Sequence, residues 1–205
     1  MRVYVETNFI LEVALLQEQH AACQKILDLC TTGRAELVVP AFSIAEPYNT
    51  LDRRHKQRKK MKSDLDHEFR QLARTSSYEQ KLSGFQSLTD LLIDSADEES
   101  KRLEDIRDRL LVSAFIVPLD AEVISAARRH QTQYGLSPPD ALVLSSILLH
   151  LTRNPVEMSC FLNKNTKDFD DPDIIAELAR LHCKLLPRFD TGFQLIAASV
   201  PPDTV

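Results

Sequence analysis

The 205-residue chain has no tryptophan and only 4 glycines. Tight β-hairpins need residues that tolerate positive φ, so this scarcity argues against a hairpin-rich β fold and leaves helices as the main element. The 4 cysteines, Cys23, Cys30, Cys160 and Cys183, form no CxxC pair. A helix would place Cys23 and Cys30 on one face but two turns apart, too far for a zinc site, so all four read as buried thiols of a reducing compartment. His55, His67, His130, His150 and His182 show no HxH or HxxxH spacing and read as surface or packing residues. Long apolar runs are missing as well. Ala141 to Leu151 is interrupted by Ser145, Ser146 and His150 and is too short to span a bilayer. Met1 to Phe9 contains an acid and lacks the apolar stretch of a signal peptide. The expectation is a soluble, cytoplasmic protein with no membrane contact.

Excess positive charge is also absent. With 25 Lys and Arg against 30 Asp and Glu, the net charge is −5. A protein that merely coats nucleic acid is usually basic, because its affinity comes from neutralising phosphates. An acidic enzyme acting on nucleic acid stays open, since catalytic carboxylates with a metal carry negative formal charge. The hydrophobic share of 43% and charged share of 27% are those of an ordinary globular protein with a full core.

What is present is a series of short apolar strands between helical segments. Arg2 to Val5, Leu37 to Val39, Phe115 to Val117, Met158 to Leu162 and Leu185–Leu186 read as strands, with Pro40 and Pro118 ending two of them. Thr7 reads as the N-cap of a first helix through Leu15, and a second helix runs from about His20 to Cys30, with Gly33 beyond it. A helix starts near Ser43. From Ser63 to Val112 every local signal is helical, with a break expected near Ser95-Ala96-Asp97. Another helix opens at Asp120 or Leu119 and runs to about Tyr134, where Gly135 stops it. Ser137-Pro138-Pro139-Asp140 is a helix start, a serine cap followed by prolines that lose nothing in a first turn. The last helix is placed from about Asp173 to His182, and the tail from Val200 to Val205 reads as frayed. Apolar strands alternating with helices predict a parallel sheet covered on both faces, in a single domain over residues 1–205 with a helical insertion at about 55–112.

The acids fall in a pattern. Glu6 directly follows the first strand, Glu46 lies early in the helix after the second, and Asp140 is in the first turn of its helix. Asp168 follows the fourth strand, with Asp170, Asp171 and Asp173 close behind. In a parallel α/β sheet, strand ends and following helix starts share one edge, so four acids from four distant segments converge there. Converging carboxylates repel, and a hard cation such as Mg²⁺ or Mn²⁺ relieves that while activating water for phosphodiester hydrolysis. Taken singly, Glu6 and Asp140 could equally complement helix dipoles, and Asp171 or Asp173 could be the N-cap of the last helix.

Val5-Glu6-Thr7-Asn8, Glu46, Leu136 to Leu142, and Asn163-Lys164-Asn165-Thr166-Lys167-Asp168-Phe169 together resemble, in order, the motifs of PIN domains. The resemblance spans nearly the whole chain outside residues 55–112. It implies a three-layer α/β/α fold with four or five parallel strands and a metal-dependent ribonuclease, as in toxins of bacterial toxin–antitoxin pairs. It also implies that Glu6, Glu46, Asp140 and Asp168 hold Mg²⁺ or Mn²⁺. Thr7 and Asn8 would orient the first carboxylate, and Asn165 would bind substrate or a water on the metal. Asn165, Asp168 and Asp171 all stay open as the fourth ligand. The sequence departs from the family pattern at Glu6, where Asp is usual, and at Asn163, where Thr is common. The one-methylene extension carries the Glu6 carboxylate roughly 1.5 Å further out.

The dense basic run Arg53, Arg54, Lys56, Arg58, Lys59 and Lys60 reads either as a solvated helix face or as a contact for RNA phosphates, and the second reading is carried forward. RNA is the expected substrate, an antitoxin or other protein a candidate partner, and a homodimer through Leu88, Leu91 and Leu92 an open arrangement. The competing readings are a catalytically degenerate PIN-like module that binds RNA or protein, and a DNA nuclease of the same chemistry.

Overall fold

The computed structural model describes residues 1–82 and 85–199, without the side chains of residues 79–81, 86, 166 and 167. The sequence-predicted frayed tail lies outside them. Five parallel strands, β1 (Arg2–Val5), β2 (Glu36–Pro40), β3 (Ala114–Val117), β4 (Ser159–Leu162) and β5 (Cys183–Leu186), form one sheet in the order β3-β2-β1-β4-β5. Alternation along each strand sorts the core into two faces. Val3, Val5, Leu37, Val39, Cys160 and Leu162 point to one side. They meet α1 (Thr7–Ala14), α2 (His20–Thr31), α5 (Phe85–Ser113) and α10 (Phe189–Ser199). Tyr4, Val38 and Phe161 point to the other, against α6 (Ala121–Tyr134), α7 (Pro138–Arg153) and α9 (Pro172–Arg180). This is the expected three-layer α/β/α arrangement, and residues buried on both faces explain why the strands read as continuous apolar runs.

Local signals place several boundaries. Asp120 caps α6 by accepting the Val123 N–H at 2.9 Å, and Gly135 ends that helix at φ 66°. Ser137 caps α7 with Pro138 and Pro139 following. Asp171, not Asp173, caps α9, accepting the Asp173 N–H at 2.8 Å. The four cysteines are buried and unpaired. Among the described residues no helix is long and apolar enough to cross a membrane.

The helix that starts near Ser43 carries the basic run, as α3 runs unbroken from Ala41 to Leu72, beginning against the sheet and continuing beyond it. The helical region departs from the expectation in one respect. The break expected near Ser95-Ala96-Asp97 is absent, since α5 spans Phe85–Ser113. Ser95 and Ala96 face the partner helix there: Ala96 is buried and the Ser95 hydroxyl accepts from Arg58 at 3.1 Å. The turn falls instead after Leu72, ahead of the short α4 (Ser76–Leu82). Three further differences lie elsewhere. Thr7 is the first residue of α1 rather than its cap, which is Glu6. The predicted last helix stops at Arg180, two residues before His182, which takes φ 55°. α10, which follows β5, was not predicted at all.

Candidate active site at the carboxyl edge of the sheet

In the order β3-β2-β1-β4-β5 the direction of strand progression reverses between β1 and β4, the place where ligands of parallel α/β sheets gather at the carboxyl ends of the strands. Glu6 stands immediately past β1. Asn163, Asn165 and Asp168 follow β4, the last of these in the short α8 (Thr166–Phe169). Glu46 comes from the second turn of α3, directly after β2, and Asp140 from the first turn of α7. Four distant segments thus deliver one acid each to the same edge.

The electrostatics show which acids share the site. Glu6 is buried, and its carboxyl is pushed up to about 8. Burial is the main cause, and the negative charges of Glu46 and Asp140 push the same way. The backbone and side-chain amide groups of Asn8 pull against this and favour the ionised form. Asp140 is also raised, first by burial and then by Asp168, with the Ser137 hydroxyl opposing. The chain of influence runs Glu46, Glu6, Asp140, Asp168. Glu6 Oε1 is buried with no hydrogen-bond partner among the described residues. Such an atom is costly unless a ligand completes it.

Each of the other three acids is held by one side-chain donor. Thr7 Oγ1 donates to Glu46 Oε2, Ser137 Oγ to Asp140 Oδ2, and Asn165 Nδ2 to Asp168 Oδ2. These contacts show where two of the expected supporting residues stand. Thr7 holds the second acid rather than the first, because position N1 of α1 turns its hydroxyl toward α3. Asn165 spends an amide N–H on Asp168. Asp171 is occupied as the α9 cap, and Asp168 is the acid of this segment whose charge acts on Asp140. Among the described residues, no three His, Cys, Asp or Glu side chains close on one point as a finished metal shell. The acids stand around the edge, each fixed from behind.

Sequence reading missed a pair behind this edge. Glu12 of α1 is fully buried, accepting the Gln19 backbone N–H and the Lys164 ammonium at 3.2 Å. Lys164 lies between Asn163 and Asn165, so the pair ties the Asp168 segment to α1. A buried acid on an otherwise apolar helix face is the one signal that pointed to it.

The basic run divides. Arg58 forks onto Glu99 of α5 with both contacts at 2.9 Å, and Lys56 pairs with Asp52 at 2.6 Å. Those two of the six expected nucleic-acid contacts are engaged within the helices. Arg53, Lys59 and Lys60 are exposed and form no ion pair among the described residues, and Arg54 is half-buried. A cavity of about 740 Å³ opens at the opposite edge of the sheet between Met1, Arg2, Glu36 and Met158, away from the acids.

The fold is thus three-layer α/β/α, with four acids around the switch point of a parallel sheet. The chain belongs to the PIN-domain family: the family's model matches residues 3–169, from β1 to the Phe169 that follows Asp168. PIN domains are generally nucleases. No curated protein matches the chain in sequence.

Proposed function

We propose that the protein is a metal-dependent endoribonuclease whose centre is Glu6, Glu46, Asp140 and Asp168. The observation that carries this reading is Glu6: a carboxylate buried beside two other acids, with Oε1 left without a partner among the described residues, at the switch point of the sheet. An all-oxygen donor set of this kind fits a hard divalent cation, Mg²⁺ or Mn²⁺. Bound there, the ion supplies charge neutralisation at a phosphoryl oxygen and activation of water.

The chain's own residues do the rest. Thr7, Ser137 and Asn165 fix three carboxylates by one hydrogen bond each, so the acids are oriented before a ligand arrives. Asn8 favours the ionised form of Glu6, the form that coordinates. Arg53, Lys59 and Lys60 offer unpaired positive charge to phosphates further along an RNA strand. The reading extends to a cytoplasmic toxin held in check by an antitoxin, and there it rests on family membership alone.

A second reading, a PIN-like module that binds RNA or protein without cutting it, takes its support from Glu6 standing where Asp is usual. One experiment separates the two. Purified protein is incubated with a mixed RNA pool in Mn²⁺ and in EDTA, beside Asp140→Asn. Cleavage that needs Mn²⁺ and disappears in the variant is the expected result; intact RNA throughout favours the binding module, and cleavage retained by the variant defeats the proposed site.

A further inference from the structure

The unbroken course of α3 joins the acidic edge to the far end of the α3–α5 pair. Glu46 of the site is followed at successive heptads by Arg53, Lys60 and His67, all three exposed on the same helix. A heptad of a straight α-helix advances about 10.5 Å and falls about 20° short of two full turns, so these residues form one slowly drifting row that starts at the site. The drift carries the row toward the flank of Lys59, Asp66 and Arg70, which share a face through Ser63 at three- and four-residue steps. Asp64 and Glu68 interrupt the row on its other side.

The facing helix has the opposite charge. Asp94, Asp97, Glu98, Glu104 and Asp105 of α5 are exposed, with Lys101 among them. A polyanion is therefore drawn to the outer face of α3 and turned away from that of α5.

At the end of α3 a cavity of about 440 Å³ opens between Asp66, Phe69, Arg70, Ala73, Leu82 and Phe85. The rings of Phe69 and Phe85 have centroids 5.0 Å apart, and Phe85 is 41% exposed. Asp66 is occupied, by Lys62 at 3.3 Å and the Thr89 hydroxyl at 3.2 Å. Arg70 is exposed, its Nε donating to the Asp66 backbone carbonyl at 3.0 Å. The helix carries this path about 35 Å from Glu46 to Phe69. A row of cations leading to an open aromatic face suits single-stranded nucleic acid: the cations follow the phosphates, and any base can stack on the ring.

We propose that α3 is a track for a single RNA strand leaving the acidic edge, with Arg53 and Lys60 on its phosphates and a base stacked on Phe85 at the tip. The proposal rests on the reading of the acidic edge as an RNA nuclease and gives that site a substrate class, long unpaired strands. A strand that stops short of the tip forfeits the stack. A duplex keeps its bases paired and cannot splay one onto the ring.

The test is equilibrium binding by fluorescence anisotropy in Mn²⁺. The probes are labelled uridine strands of about 4 and about 16 nucleotides, the range that single-stranded sites cover, and the longer strand annealed to its complement. All proteins carry Asp140→Asn, so that the strands stay whole. Phe85→Leu keeps an apolar contact with Phe69 and removes the flat face. Arg70→Gln alters an exposed side chain and no packed group, and Lys101→Gln on α5 is the control. The longer strand should bind more tightly than the shorter. Phe85→Leu and Arg70→Gln should each weaken it by about fivefold, the least that a lost stack costs, without changing the shorter strand. Lys101→Gln should change neither, and the annealed strand should be indifferent to Phe85→Leu. Equal affinity for the two lengths, no binding, a longer strand unaffected by either tip variant, or an equal loss in Lys101→Gln overturns the proposal and leaves the apolar tip to a protein partner. Cleavage by the protein with Asp140 intact is scored separately. Cleavage without the length effect keeps the nuclease and removes the track; the length effect without cleavage does the reverse.

Discussion

Glu12 and Lys164, 152 positions apart, meet through a 3.2 Å contact between Oε2 and the ammonium nitrogen, and this ties the segment that carries Asp168 to the first helix. Glu12 is buried while Lys164 is about a third exposed, so the pair sits at the border of the core. Its second carboxylate oxygen accepts the Gln19 N–H. Gln19 in turn accepts from the Phe189 and Asp190 backbone N–H groups at the start of α10, at 2.8 and 3.2 Å. One acid thereby links α1, the turn into α2 and the Asp168 segment.

Lys164→Ala leaves the Glu12 carboxylate buried without its counter-charge. Removing one member of a buried pair costs about 3–5 kcal/mol, and the exposure of Lys164 places the expected loss at or below the lower end. Urea denaturation measures it. Glu12→Gln with Lys164→Met should recover much of the loss, and a Lys164→Ala protein as stable as the wild type would show the pair to be incidental.

The acids predict a pH dependence with a definite sign. Glu6 is raised from its ordinary 4.5 to about 8 in the fold. Between those values the folded chain holds a proton that the unfolded chain has released, so stability of the metal-free protein falls as pH rises through that window. The contribution is full below 4.5 and lost above about 8. Its slope is at most about 1.4 kcal/mol per pH unit. Asp140, also raised, adds in the same direction. Thermal melts in EDTA across this range test it, and Glu6→Gln should flatten the curve. A metal competes with the proton for the same oxygens, so the stabilisation by Mn²⁺ should grow over the window in which the apo-protein weakens.

Thr7→Val and Ser137→Ala each remove the hydroxyl that holds one carboxylate, Glu46 and Asp140 respectively. Loss of such a supporting contact typically reduces metal affinity or activity by about 10–100-fold. Thr7→Val should do so at nearly unchanged stability, whereas Ser137→Ala should also cost about 1 kcal/mol as a lost N-cap. Calorimetric titration with Mn²⁺ alongside melting curves reads both effects.

The basic run should separate by function. Arg58→Ala breaks the fork onto Glu99, which is 7% exposed, and should loosen the α3–α5 pair measurably in melting and hydrogen exchange. Lys59→Ala with Lys60→Ala should leave the melting temperature in place while weakening RNA binding and lowering its salt slope by about 1–2. Equal RNA affinity in that double variant would return the run to an ordinary solvated helix face.

Several features were already legible in the sequence because their causes are local. Strands buried on both faces read as unbroken apolar runs, as in Val3 to Val5 and Cys160 to Leu162. Asp120, Gly135 and Ser137 sit within four residues of the groups they cap, so their spacing alone marks the helix ends. The order of Glu6, Glu46, Asp140 and Asp168 relative to strands and helix starts follows from the same local reading, since topology then sends strand ends to one edge.

Only the tertiary structure decided which groups touch across that edge. No spacing announces that Thr7 reaches Glu46, that Lys164 reaches Glu12, or that Arg58 turns into the helix pair instead of outward. These contacts join residues 39 to 152 positions apart, and such contacts leave no periodic trace in the chain. The continuity of α5 through Ser95-Ala96-Asp97 has the same origin, because burial against α3 overrides a weak local propensity to break. Local hydrogen bonding and hydrophobic period wrote the elements into the sequence; long-range packing chose which polar groups those elements bring face to face.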